Sequence, residues 1–220
     1  MKPVCSAFIL MLVLIGCPKE ADGPSDTGVL TSVEAVTQYL ADPALDGGDP
    51  NNPVPLAVKI SGADWPRLFQ AIREADKYVA LDLSRCYNVW KEFSFTQEFD
   101  WAFVNAVNDR VISLSLPKGV TSTQTMTFGN CENLKKIDLP ASLAILGASA
   151  FYECAGIELV IFRAAKPPAL PKIIAPWETG ETDEYLFYNI GTDFAIKVPA
   201  RSVAAYKAAW PTWADRIGPI

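Results

Sequence analysis

The stretch "IDLPASLAILGASAFYECAGI", residues 137–157, decides the fold. It opens with Ile137 and Leu139 in alternation, the pattern of a short strand with one buried face. Pro140 ends the strand, a turn follows, and Phe151, Cys154 and Ile157 return at steps of three. The same frame stands 23 residues earlier, where Leu114, Leu116, Pro117, Phe128, Cys131 and Leu134 occupy the equivalent places. Self-similarity at this period is the mark of stacked structural units. Such a unit cannot bury its apolar face alone, so the spacing is written again to supply a cover for its neighbour.

The frame extends in both directions. A phrase of the form apolar-x-x-apolar-x-apolar runs through Tyr78, Leu81, Leu83; Val111, Leu114, Leu116; Leu134, Ile137, Leu139; and Ile157, Val160, Phe162. Upstream, Val58-x-Ile60-Ser61 precedes Leu81-x-Leu83-Ser84 by 23 residues. Between them, Trp65, Leu68, Phe69 and Ile72 mark one face of a helix, with Asp64 placed to cap it and Pro66 in its first turn. Earlier still, Thr31-x-x-Glu34 reads as a capping box before Val33, Val36 and Leu40 at helical spacing. The stretch "DPALDGGDPNNP", residues 42–53, is a loop by its turn residues. Its Asp46 and Asp49 lack the alternating oxygen ligands and terminal glutamate of a calcium loop, which favours a solvated turn. Residues 29–55 therefore form an N-terminal helix and loop, and 56–217 the repeat domain.

These residues resemble the BspA-like, treponemal type of leucine-rich repeat, whose unit runs strand-Leu-Pro, a turn with an apolar residue, Ala-Phe, Cys, Leu. Residues 137–157 are the clearest copy. Residues 114–134 depart from it, with Thr127 in place of the alanine and Thr123-Gln124 in place of Leu146-Gly147, so less regular packing is expected there. The end of the chain, "AIKVPARSVAAYKAAWPTWADRI", residues 195–217, is similar to the terminal unit of that family. Ser202 would cap a helix there whose Val203, Tyr206 and Trp210 face the last coil. The resemblance implies an α/β solenoid of short parallel strands, with helical or irregular convex segments and a short C-terminal helix. It implies a bacterial surface protein and no reaction.

Lys2 followed by the apolar run Ala7–Ile15 has the form of a signal peptide, too short for a membrane span. The run ends in Leu14-Ile15-Gly16-Cys17, which resembles the bacterial lipobox. The resemblance implies that residues 1–16 are removed and that Cys17 is the lipid attachment, with 17–28 as a flexible tether. A leader cut elsewhere, with Cys17 free, is the alternative. The expected location is the cell envelope, lipid-anchored, at the outer membrane or cell surface; Pro18 after the cysteine favours the outer membrane, and the periplasmic side is the other position.

A formal charge of -6 argues against nucleic acid and gives no polybasic patch for anionic lipid. The absence of histidine removes histidine bases, Ser-His-Asp triads and histidine-bound zinc. No carboxylate constellation replaces them, so neither catalytic residues, nor a metal, nor a cofactor is expected. Beyond the leader, Cys86, Cys131 and Cys154 read as small buried hydrophobes, with a Cys131–Cys154 disulfide as the alternative in an oxidising compartment.

Function is then left to the surface. Outward strand positions are Ala80, Asp82 and Ser84; Ser113 and Ser115; Lys136 and Asp138; Leu159, Ile161 and Arg163; and Lys197. From these, Asp82, Ser113, Ser115, Lys136, Asp138, Leu159, Ile161, Arg163 and Lys197 form the candidate binding face. Leu159 and Ile161 are either covered by the segment 164–193 or exposed as an apolar patch. That segment carries Trp177, Tyr185, Phe187 and Tyr188, read as local packing, and the acids Glu178, Glu181, Asp183 and Glu184, read as solvated. The insertion 87–110, with its own aromatics, is a second source of cover or contact. The expected function is binding of an unidentified protein or envelope or host macromolecule, adhesion included. The alternative is a structural envelope protein without a specific ligand.

Overall fold

The computed structural model describes residues 28–93, 110–170 and 184–220. Its frame is a parallel sheet built from β1 (Val54–Ala57), β2 (Val79–Asp82), β4 (Val111–Ser115), β6 (Lys136–Leu139), β7 (Leu159–Phe162), β8 (Ala195–Val198) and β9 (Ile217–Pro219), in that spatial order. A two-stranded companion, β3 (Glu92–Phe93) with β5 (Ser122–Thr123), lies in the segments between them. Every neighbouring pair is parallel, as stacking of coils in one direction requires.

The register follows the apolar phrase. Leu56, Leu81, Leu114, Ile137, Val160, Ile196 and Ile217 form one inward row across all seven strands, and all are buried. Leu139 pairs with Phe162 in a second row, and both are fully enclosed. Ile112 is the extra residue of a bulge between β2 and β4, where the register slips after Val79.

The first coil is longer than its sequence spacing indicates. Leu56 pairs with Leu81, and the Val58 amide donates to Asp82 O, so Val58 stands beside Leu83 and not beside Leu81. A slip of two residues keeps every side chain on its own face, so alternation alone does not fix the register. The extra length accommodates a 3-10 turn, Gly62–Asp64, ahead of α2 (Trp65–Ala75). Asp64 makes no side-chain cap; Ser61 caps the 3-10 turn by accepting from the Ala63 amide. In α1 (Val33–Ala41), Ser32 and not Thr31 is the cap, its Oγ accepting from the Ala35 amide at 3.1 Å. α1 buries Val33, Val36 and Leu40 against α2. In the loop, Asp49 accepts from the Asn51 and Asn52 amides, a turn made by its own side chain.

The convex side is tied by a ring stack. Trp65 meets Phe93 edge-on, Phe93 stacks on Phe128, Phe128 on Phe151 at 5.1 Å, and Phe151 on Phe187 at 5.1 Å. Phe187 then contacts Phe194 and Trp213. Phe187 belongs to a segment whose sequence reads as irregular, yet it is the next unit. Phe187 and Tyr188 follow Phe151 and Tyr152 by 36 residues, the same offset that separates Val160 from its partner Ile196. All but one residue of the surplus over 23 falls between Ala169, which bridges to Ile145, and Leu186. Asn130, Glu153 and Asn189 share a positive φ at equivalent places in successive turns. Trp177, Glu178, Glu181 and Asp183 lie outside the described residues, as do the side chains of Glu184 and Tyr185.

The threonines that replace apolar residues in the weaker copy do not loosen it. Thr123 Oγ accepts from the Gly147 amide, Thr127 donates to Gln124 O at 2.6 Å, and both are buried. Coils approach so closely here that a Cβ on Gly147 would lie 1.9 Å from Gln124 O.

The two ends of the sheet are finished differently. Leu30 donates to Ala57 O and accepts from the Lys59 amide, a single parallel bridge to Val58 just past the end of β1. At the other end the C-terminal helix, Val203–Ala209, buries Tyr206 and Trp210 against Phe162. Ser202 does not cap that helix through its side chain; its Oγ donates to Ala165 O. The chain then adds a strand beyond those that the apolar phrase marks, β9. The Ile220 amide donates back to Val198 O, so the amide position of the preceding residue faces away from the sheet, and that residue is Pro219.

Two expectations follow. Leu139→Asp places an unpaired carboxylate in the inward row at a cost of several kcal/mol against a total stability of about 5–15 kcal/mol. Circular dichroism should show loss of the cooperative transition; a cooperatively folded variant would contradict the register. Tyr206 is enclosed, its hydroxyl donates to Ala164 O at 2.9 Å, and burial pushes its pKa well above the ordinary tyrosine range. The folded chain keeps that proton after the unfolded chain releases it at about pH 10, so this contribution is intact below pH 10 and is lost as pH rises beyond it. Tyr206→Phe should lower stability by about 1 kcal/mol at pH 7 and make the alkaline fall shallower, read from urea midpoints at pH 7 and above 10.

Candidate functional site

Outward side chains of the sheet fall into rows because the strands are in register. One row runs Pro55, Ala80, Ser113, Lys136, Leu159 and Ala195. The next runs Ala57, Asp82, Ser115, Asp138, Ile161, Lys197 and Gly218. The candidate face of the sequence is thereby brought together: Ser113, Lys136 and Leu159 side by side, and Asp82, Ser115, Asp138, Ile161 and Lys197 beside them. Arg163 lies just past the end of β7.

The chemistry differs between the two halves. Toward the N-terminal end, Asp82 Oδ1 accepts from the Ser84 amide, so its carboxylate closes β2, and the neighbours are small or hydroxyl-bearing. Toward the C-terminal end, Arg163 grips Asp138 with two bonds, Nε to Oδ1 at 2.7 Å and Nη2 to Oδ2 at 2.6 Å. This pairing holds the Asp138 side chain at 15% exposure while Arg163 remains 53% exposed, and it raises the Arg163 pKa. Its sequence signal is two opposite charges 25 residues apart, one repeat plus two positions, which place them on a diagonal across adjacent strands.

Lys136 is exposed and Lys197 half-buried, and neither makes an ion pair among the described residues. The Lys197 ammonium lies over Gly218, where a Cβ would come within 3.4 Å of Nζ. Leu159 is half-buried between them, and Ile161 is buried at 9% exposure. Ile161 therefore contributes floor to the face and no exposed contact. Neither outward row holds an aromatic ring. Ala195 and Gly218 complete the face at its C-terminal end, where β8 and β9 pair in register.

Among the described residues the cysteines offer no reactive centre. Cys131 and Cys154 are buried and unbridged, and the Cys154 thiol donates to Phe128 O at 2.7 Å. Cys86 is half-buried, and burial pushes its thiol up, away from the thiolate that nucleophilic chemistry needs. Among the described residues no three Cys, Asp or Glu side chains gather as a metal site requires, and no helix is long and apolar enough to cross a membrane. Cys17 lies outside the described residues.

The family model for the BspA type leucine rich repeat region, described as 6 copies, matches residues 94–167. No curated protein matches the chain. The matched region contains β4, β6 and β7 with their shared phenylalanine and cysteine positions, and the parallel coils continue in the same register on both sides of it. Residues 94–167 are thus similar to the BspA type leucine rich repeat region, and the parallel-strand repeat fold extends beyond them on both sides.

Proposed function

We propose that this chain works by binding, holding a protein partner against its outward sheet face at the bacterial cell envelope, with lipid on Cys17 as the anchor. The observation that carries the reading is the pair of outward rows. Seven strands in register present an ordered field of hydroxyl, carboxylate, ammonium and aliphatic groups on a rigid frame. Such a frame orders side chains before a partner arrives, which lowers the entropy cost of association. Adhesion is the form this binding takes if the face is outside the cell. The absence of histidine and the buried thiols favour binding over catalysis.

A photo-crosslinking residue at position 115 on the face, compared with one at position 207 on the exposed side of the C-terminal helix, tests the reading in intact cells. A discrete adduct from position 115 alone is expected; equal or no adducts from both positions would overturn it and leave a structural role. In the same cells, Cys17→Ala should move the protein out of the membrane fraction, and retention there would remove the anchor from the proposal.

A further inference from the structure

We infer that the C-terminal half of the outward sheet face recognises an extended acidic protein segment of the pattern acidic-x-apolar-x-acidic. This inference rests on the binding reading above and names the chemistry of its partner. Among the described residues of a chain with a formal charge of -6, this surface holds two ammonium groups without an ion-pair partner, because Arg163 already answers Asp138. Lys136 and Lys197 are therefore a positive pair uncompensated among the described residues of an acidic protein, and that is charge complementarity for carboxylates.

The spacing narrows the ligand. Lys136 is on β6 and Lys197 on β8, two strands apart and one row over. At about 4.8 Å per strand and about 3.3 Å per residue, their backbones are roughly 12 Å apart. An extended peptide spans about 13 Å from residue i to i+4 and puts i, i+2 and i+4 on one face. Acids at i and i+4 reach the two ammonium groups, and the residue at i+2 comes down between them. There it meets half-buried Leu159 and the Ile161 floor, which reward an aliphatic side chain. A sulfated glycan would satisfy the charges but not this saddle, and the outward rows offer no aromatic ring for a sugar to stack on.

The test uses fluorescence anisotropy with two labelled peptides of one composition, Gly-Ser-flanked Glu-Ser-Leu-Ser-Glu and Glu-Leu-Ser-Ser-Glu, the second turning its leucine to the opposite face. The first should bind more tightly by about tenfold. Lys136→Glu and Lys197→Glu should each weaken it by about tenfold or more, and rising salt should weaken it further. Lys207→Glu, the same charge change on the C-terminal helix, should leave it unchanged, with thermal melts confirming that all three variants fold. Equal binding of the two peptides, equal weakening by Lys207→Glu, or binding of heparin and not of peptide would overturn the proposal. If neither peptide binds while position 115 still crosslinks a partner in cells, the acidic pattern falls and the binding reading stands; if both fail, both fall.

Discussion

Each coil of this protein has to accept the coil above it at one distance on both of its sides. On the sheet side that distance is set by hydrogen bonds at about 4.8 Å. On the convex side it is set by the rings of Phe128, Phe151 and Phe187, stacked at 5.1 Å. The two steps agree closely, so coils stack without prising apart the hydrogen bonds or the rings. Gly147 is required for the same reason: at this spacing the backbone of one turn touches the carbonyl of the turn before it. The thiol of Cys154, donating to Phe128 O, bridges the same gap from inside.

This constraint explains what the sequence could disclose. Where successive units have equal length, as from Leu114 to Ile137 to Val160, the apolar phrase gives the register directly, because a wrong odd shift would turn aliphatic side chains to solvent. The first coil defeats that logic, since a shift of two satisfies the pattern equally and only the helix geometry chooses between them. The 36-residue unit hides for a different reason. Its leucine, phenylalanine and tyrosine at 186–188 repeat the frame, but the surplus residues break the period that the eye follows. Ser32 caps one residue, and Ser61 three residues, away from the positions that a pattern selects. The Ser202 hydroxyl was drawn into a contact with a carbonyl 37 residues earlier, which no local pattern records.

The face was legible to the extent that alternation is. Outward positions along each strand follow from period two, and the rows follow once the register is known. Partnership between those positions is less visible, because Asp138 and Arg163 meet diagonally and not straight across. Burial is less visible still: Ile161 is outward by alternation, yet its neighbours close over it. The result is a surface whose formal charges overstate its available ones, since one carboxylate and one guanidinium answer each other and leave the lysines as the groups open to a partner.

A parallel array has a head and a tail that differ, and any contact between the head of one molecule and the tail of another would repeat indefinitely and grow a fibre. Pro219 interrupts that at the tail. It removes a donor where a further strand would seek one, which weakens pairing at that edge in the hydrogen-bonding direction. Leu30 occupies the corresponding edge at the head. Each of these two edges thus carries a local feature that disfavours the addition of a further strand, while the outward face runs along the coils between them.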